Sequence, residues 1–269
     1  MRKISTLMVS VLCMMMPVGA EAQVPTAFVS KGATDIQAQP HSVTQTNSGA
    51  QLAAIDPMVR SITMDDGLPS NAVRSVVQGS KGYMWFGTDN GLCRFDGYDV
   101  KTYYNPFTTV DQFVSALTAC EEGLLVGCNN GAYLFCNATD RFQKLSDKIT
   151  APVLNFSLDG DQNVWISTNG QGVFRYNRTT HELHQYPMKN IQGKVKSTLV
   201  DANNQVWMLC NHGEASIYHL NKSTDQFEAF PLKGDATMFH GMAMLATPDG
   251  NVYVGTWENG LYKLNADGS

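Results

Sequence analysis

A segment of one kind recurs five times in the 269-residue chain, and this repeat restricts the fold more than any other feature. The copies are GYMWFGTDNGLCRFD (82–96), EGLLVGCNNGAYLFC (122–136), NVWISTNGQGVFRYN (163–177), QVWMLCNHGEASIYHL (205–220) and NVYVGTWENGLYKLN (251–265). The residues aligned with Trp85 are Leu125, Trp165, Trp207 and Tyr253, at spacings of 40, 40, 42 and 46 residues. A period of about 40 to 45 residues built from short strands is typical of a β-propeller blade.

Each repeat is flanked by two further strand patterns. An alternating run such as VLNFSL (153–158) precedes it, and an aromatic run such as VKTYY (100–104) follows it. Gly, Asn and Asp bound these runs, as short hairpins require. We therefore predict an all-β propeller with five recognisable four-stranded blades. Because Trp85 has an equivalent in every repeat, we interpret it as a core wedge between neighbouring blades.

The last blade shows only three strands before the sequence ends. The run MVRSITM (58–64) is a candidate for the missing outer strand, which would close a five-bladed ring. It is equally a candidate for the closing strand of a larger ring whose other blades follow Ser269. Both alternatives stay open at the level of the sequence.

The N-terminal region predicts export. Arg2 and Lys3 precede an apolar run over 4–17, and Ala20-Glu21-Ala22 supplies a small-residue cleavage site. The apolar run is shorter than the ~20 residues of a membrane span, which favours a signal peptide over an anchor. We predict a signal peptide over 1–22, a flexible leader over the Gln/Ser/Thr-rich residues 23–54, and propeller blades over 55–269.

Charge and cysteine content exclude several classes of protein. The formal net charge is −5 and the chain has no Lys/Arg run, which argues against nucleic acid and anionic lipid as partners. The odd count of mature cysteines and the absence of C-x-x-C spacing argue against a disulfide framework and a zinc site, and we predict no metal or cofactor. We expect most of the cysteines after Cys13 to be small buried residues, and these are Cys93, Cys120, Cys128, Cys136 and Cys210.

Residues 65–103 resemble a known family. DDGLPSNAVRSVVQGSKGYMWFGTDNGLCRFDGYDVKTY is similar to the first blade of two-component regulator propeller proteins. The matching positions are Asp66, Gly67, Leu68, Asn71, Val73, Gly82, Trp85, Phe86, Gly87, Thr88, Gly91, Leu92, Arg94, Phe95, Asp96 and Gly97. The later blades match more loosely, and Leu125 replaces the tryptophan in the second.

The resemblance implies a function and a set of partners. Such propellers are periplasmic sensors of hybrid two-component histidine kinases that control polysaccharide utilisation, and a later segment anchors them in the inner membrane. It implies an oligosaccharide ligand, further blades or kinase domains beyond Ser269, and a homodimer as an open alternative. No kinase motif occurs in these residues, so we predict a sensor without catalysis.

Two rival functions remain from the sequence. One is a free-standing exported propeller that acts as an interaction scaffold. The other is a propeller lyase or glycosidase. SLDGDQNVW (157–165) resembles the Asp-box of sialidase-type propellers, but Asp161 stands where that motif has Gly, and Asp-boxes are turn motifs remote from catalysis.

The turns between second and third strands are the predicted ligand site, because loops from all blades converge at one end of a propeller. Aromatic faces, amides and carboxylates are the groups that hold sugars. We predict a ligand-binding cluster of Trp257, His212 and Glu214, with Asn169 and Asn259 beside it. Asn259 also fits the ordinary Asn-Gly turn, as Asn90 and Asn130 do.

Overall fold

The computed structural model describes residues 61–108, 110–188, 194–211, 216–230, 232, 241–257 and 260–265. The predicted signal peptide (1–22) and leader (23–54) lie outside these residues. The described strands form five antiparallel sheets in chain order, four of them with four strands and the last with three. This is the predicted propeller architecture, including the three-stranded fifth blade.

Each sheet is a simple up-and-down meander. Sheet 1 holds β1 (Val73–Gln78), β2 (Met84–Thr88), β3 (Gly91–Phe95) and β4 (Val100–Tyr103). Sheet 2 holds β5 (Val114–Ala119), β6 (Gly123–Cys128), β7 (Gly131–Cys136) and β8 (Arg141–Lys144). Sheet 3 holds β9 (Val153–Leu158), β10 (Asn163–Thr168), β11 (Gly172–Asn177) and β12 (Leu183–Tyr186). Sheet 4 holds β13 (Lys194–Val200), β14 (Val206–Asn211), β15 (Ile217–Asn221) and β16 (Gln226–Ala229). Sheet 5 holds β17 (Gly241–Ala246), β18 (Val252–Thr256) and β19 (Leu261–Leu264).

The predicted strand over 58–64 does not form in its described part. Residues 58–60 lie outside the described residues, and Met64–Asp66 is a short 3-10 helix. Thr63 and Asp66 cap it reciprocally: the Asp66 carboxylate accepts from the Thr63 backbone N–H at 2.8 Å, and the Thr63 side chain accepts from the first turn. This local hydrogen bonding competes with an extended conformation over the same residues.

Aspartates in the first turn of two sheets hold the repeated tryptophans in place. Both oxygens of Asp159 are used: one accepts from the backbone of Asp161 and Asn163, and the other from the Trp165 indole N–H at 2.8 Å. Asp201 binds the Trp207 indole in the same way at 2.9 Å. The Asp-box-like segment is therefore a turn that fixes the orientation of a core residue.

The core lies between successive sheets. First strands of neighbouring sheets pack side by side in the order β1, β5, β9, β13, β17. Trp85 is 2% exposed and meets Phe135 of sheet 2 edge-on with ring centroids 5.2 Å apart, while Trp165 meets Phe227 of sheet 4 at 6.1 Å. The interpretation of Trp85 as a wedge between blades is confirmed.

Glycines two residues after the wedge position let the sheets approach closely. A Cβ on Gly87 would lie 2.7 Å from Val114 of sheet 2, and a Cβ on Gly127 would lie 2.8 Å from Val153 of sheet 3. The equivalent Gly255 of sheet 5 would meet nothing within 4 Å. Beyond sheet 5, the described part of the chain therefore supplies no neighbour at this position.

Candidate functional site

One end of the blades gathers the loops that the sequence predicted as a ligand site. We call this end the upper rim: the turns that join the second to the third strand of each sheet, and the starts of the first strands on which these turns pack. The Asp89 backbone N–H donates to Ala72 at 3.1 Å, and that of Asn169 to Pro152 at 2.8 Å. These bonds tie each turn to the strand beside it.

The start of each first strand has the same backbone geometry in all five sheets, while the side chain differs from sheet to sheet. In all five sheets the pairing of the first with the second strand skips one residue, which is a β-bulge. The bulged residues are Arg74, Ser115, Leu154, Lys196 and Met242. Five different residues thus occupy one structural position on the rim. Bulges are common next to binding sites because they re-aim a side chain.

In sheet 1 the bulged residue forms an ion pair on the rim. The Arg74 guanidinium donates to both carboxylate oxygens of Asp89, over 2.6 and 2.9 Å. Its charged end also lies 5.6 Å from the centre of the Phe113 ring. Both side chains of the ion pair are 36% exposed, so the pair is accessible to solvent while its charges are matched.

In sheet 4 the bulged residue is a lysine with a different partner. The Lys196 ammonium donates to the Met242 sulfur at 3.6 Å, which links the bulges of sheets 4 and 5. A thioether is a weak acceptor and carries no charge. The cation at this point of the rim is therefore not neutralised by the contact that holds it.

The two predicted site residues that the structure describes lie on different sheets. Trp257 lies in the β18–β19 turn with 55% of its surface exposed, and Asn169 is exposed in the β10–β11 turn. His212, Glu214 and Asn259 lie outside the described residues. Among the described strands, sheet 4 packs between sheets 3 and 5, so Trp257 and Asn169 lie on separate parts of the rim.

A repeated threonine closes the turns of the rim. The hydroxyls of Thr88, Thr168 and Thr256 each donate across their own turn to the carbonyls of Gly91, Gly172 and Gly260, over 2.9, 2.7 and 2.9 Å. In sheet 1 the Thr88 hydroxyl also accepts from the Asn90 backbone N–H at 3.1 Å. Asn90 is therefore held through its backbone, as the turn interpretation predicts.

Sequence reasoning missed a second polar cluster on the rim, in the connection between sheets 1 and 2. Gln112 closes this loop by accepting from the Asn105 backbone at 2.6 Å. Below it, Phe107 stacks on buried Tyr133 with ring centroids 5.5 Å apart. Burial raises the pKa of the Cys128 thiol to about 12, so this thiol stays protonated and is not a nucleophile. No short sequence motif predicts this cluster, because its residues come from the β4–β5 loop, β6 and β7.

The described residues give no sign of a metal centre or a membrane span. Within them, no three His, Cys, Asp or Glu side chains gather in an arrangement that suits a metal ion. Nor does any helix there have the length and apolar character to cross a bilayer.

Comparison with known sequences supports the resemblance seen in the first blade. Residues 67–90 match the sequence model of the family described as "Two component regulator propeller". This segment is similar to a regulator propeller repeat. It comprises the end of the 3-10 turn, β1, the first hairpin turn, β2 and Asn90 of the next turn. A search of curated proteins found no match.

Solved structures share the fold of this propeller at low sequence identity. The extracellular domain of BT4673 from B. thetaiotaomicron, described as a hybrid two component system, aligns with a TM-score of 0.64 and 20% identity over 75% of this chain and 27% of that one. The corresponding domain of BT3049 from the same organism gives 0.65 and 17%, over 77% and 30%. Virginiamycin B lyase from Staphylococcus aureus gives 0.61 and 14%, over 76% and 70%. The chain thus spans under a third of the two sensor domains.

Proposed function

We propose that this chain is an extracytoplasmic sensor propeller of a two-component signalling system, and that its upper rim binds a polysaccharide-derived ligand. The observation that carries the proposal is the family match over residues 67–90, in the blade whose wedge, glycine and turn threonine are all in their expected places. The predicted signal peptide supports a periplasmic location. Further blades or kinase domains, and a second copy of the chain, are the proposed protein partners.

The chemistry of the upper rim suits recognition of a hydrated polar ligand. It offers an exposed indole at Trp257, exposed amides such as Asn169, and charged groups on the bulges. Binding sites for small polar molecules combine an aromatic surface with a few placed polar groups in this way. Each of these groups lies on a hairpin whose backbone is already hydrogen-bonded. Ligand binding therefore costs little conformational entropy for ordering the backbone.

We propose that the chain has no catalytic activity of its own. Arg74 and Asp89, the charged pair on the rim of sheet 1, are engaged with each other in a bidentate ion pair. The similarity to virginiamycin B lyase is a similarity of fold at 14% identity, and a propeller supports many functions.

The test is a binding screen followed by a genetic experiment. Purified full-length protein is titrated with oligosaccharide hydrolysates of several polysaccharide classes, and thermal unfolding reports binding. We expect one class to raise the unfolding midpoint. Deletion of the gene should then abolish the transcriptional response of the cells to that saccharide.

Other outcomes would identify the rivals. A protein that binds no saccharide, and whose deletion leaves transcription unchanged, would support the interaction scaffold. Appearance of new products when the protein is incubated with a hydrolysate would support the lyase or glycosidase. In either case the sensor proposal fails.

A further inference from the structure

Lys196 is a cation without a charged partner in the described part of the chain. Its ammonium contacts the Met242 sulfur at 3.6 Å, and no carboxylate among the described residues lies within ion-pair distance of it. The residue at the same bulge in sheet 1, Arg74, has a bidentate carboxylate partner. A half-buried ammonium held by a thioether keeps most of its capacity to attract an anion.

An exposed tryptophan lies near the same methionine in the strand register of sheet 5. Met242 is the bulged residue next to Gly241, which pairs with Thr256, and Trp257 follows Thr256 directly. Trp257 is 55% exposed, whereas Trp85 and Trp165 are buried in the core between sheets. Trp257 therefore does not serve the packing role of the repeated tryptophans. Lys196 of sheet 4 contacts Met242, and the strand register of sheet 5 places Trp257 one residue beyond Thr256, the partner of Gly241.

The combination of groups selects a class of ligand. The flat apolar face of an exposed indole suits the C–H face of a sugar ring, and an ammonium is a point charge suited to a carboxylate or a sulfate ester. A neutral sugar would leave the charge of Lys196 without a partner among the described residues, and a simple anion would leave the indole unused. A saccharide that carries an acidic group uses both.

We propose that Lys196, Met242 and Trp257 form a binding site for an acidic saccharide, which we call the Lys196 site. The sugar ring stacks on Trp257, the acidic group pairs with the Lys196 ammonium, and the Met242 side chain supplies an apolar surface between them. This inference rests on the proposed function and narrows its ligand from polysaccharide-derived molecules in general to those with a negative charge.

The experiment measures binding of three probes by isothermal titration calorimetry. Oligogalacturonides carry carboxylates, chondroitin sulfate oligosaccharides also carry sulfate esters, and cello-oligosaccharides are neutral. We expect at least one acidic probe to bind and the neutral probe to bind at least about tenfold more weakly. Higher ionic strength should weaken binding of the acidic probe, because salt screens the attraction between its acidic group and the Lys196 ammonium. Which acidic probe binds more tightly distinguishes the carboxylate from the sulfate ester.

Variants locate the binding. Lys196→Met should weaken binding of the acidic probe about tenfold or more, and Lys196→Arg should retain most of the binding. Trp257→Ala should weaken binding of the acidic probe by a factor similar to that of Lys196→Met. Lys81→Met is the matched control, because it removes the same charge from an exposed turn at the opposite end of sheet 1. It should leave the affinity unchanged. Circular dichroism and the unfolding midpoint confirm that each variant is folded.

Three results would overturn the Lys196 site. Binding of an acidic probe that Lys196→Met does not weaken would place the ligand elsewhere. Tight binding of the neutral probe alone would reject the acidic saccharide while the sensor function stands. Inorganic sulfate that binds as tightly as the saccharides would show a bare anion site. If none of the three probes binds, and no saccharide class raises the unfolding midpoint in the hydrolysate screen, the proposed function is rejected as well.

Discussion

Tyr186 donates its hydroxyl hydrogen to Asp225 over 2.7 Å, and this bond joins the last strand of sheet 3 to the outer turn of sheet 4. Arg175 of sheet 3 binds the same carboxylate over 2.9 and 3.1 Å. The boundary between sheets 1 and 2 repeats the arrangement, since Tyr103 donates to Asp140 over 3.1 Å. Aspartates in left-handed turn positions, with φ of 54° and 52°, thus latch each of these sheets to its predecessor.

Removal of one hydroxyl should loosen this latch. We expect Tyr186→Phe to lower the free energy of unfolding by about 1 kcal/mol, because the ring still packs while the hydrogen bond is lost. Urea unfolding monitored by circular dichroism measures the change. Tyr98→Phe is the control, since Tyr98 is exposed and should show no effect. An equal effect of both substitutions would contradict the structural role of the Tyr186 bond.

The same latch should make stability depend on acid. Burial alone would raise the pKa of Asp225, but the hydrogen bonds from Tyr186 and Arg175 and the charge of Arg175 outweigh it, and the pKa is lowered. A lowered folded-state pKa stabilises the protein above the unfolded-state pKa of about 4, and this contribution disappears as the pH falls through the folded-state value. The stability difference between wild type and Asp225→Asn should therefore be largest near neutral pH and shrink in acid. A difference that does not change from neutral pH into acid would refute the coupling.

Two equivalent glycines should respond differently to the same substitution. Gly87→Ala should lower the free energy of unfolding by about 1 to 3 kcal/mol, because the added methyl group overlaps Val114 of the next sheet. Gly255→Ala occupies the corresponding position of sheet 5 and should change it by no more than about 0.5 kcal/mol, because its Cβ meets nothing within 4 Å. A large loss at Gly255 would show that some surface covers sheet 5 in solution.

The five cysteines of the propeller should differ in reactivity. All are free, and burial raises the pKa of Cys93 and Cys120 to about 11 and of Cys210 to about 12. Hydrogen bonds from Thr139 lower the pKa of the more exposed Cys136. Iodoacetamide should therefore label Cys136 in the native protein and the other four only after unfolding, as mass spectrometry of peptides would show. Rapid native labelling of Cys128 would contradict its burial.

Much of the fold can be predicted from the sequence, because each repeat contains the strand and turn pattern of one blade. The predicted strand VLNFSL coincides with β9, and the predicted outer strand over 100–104 is one residue longer than β4. Residues 61–64 mislead because their apolar alternation resembles a strand, while the Thr63–Asp66 capping interaction decides the local structure.

The site is less predictable than the fold. The exposure of Trp257 could be expected from its departure from the repeat pattern, but the contact between Lys196 and Met242 joins residues 46 positions apart. The bulges that bring these two side chains to the rim depend on pairing register, which no local residue pattern specifies.

The bulged positions are constrained in sequence differently from the other positions of the strands. Along a strand, every residue is committed to one face or the other by the two-residue alternation, so an exchange of character disturbs packing. The extra residue at each bulge stands outside that alternation, and arginine, serine, leucine, lysine and methionine all occupy it on the same scaffold. Selection can therefore exchange the side chain that each bulge presents at the rim, one blade at a time, while the packing of the buried tryptophans and glycines between the sheets stays the same.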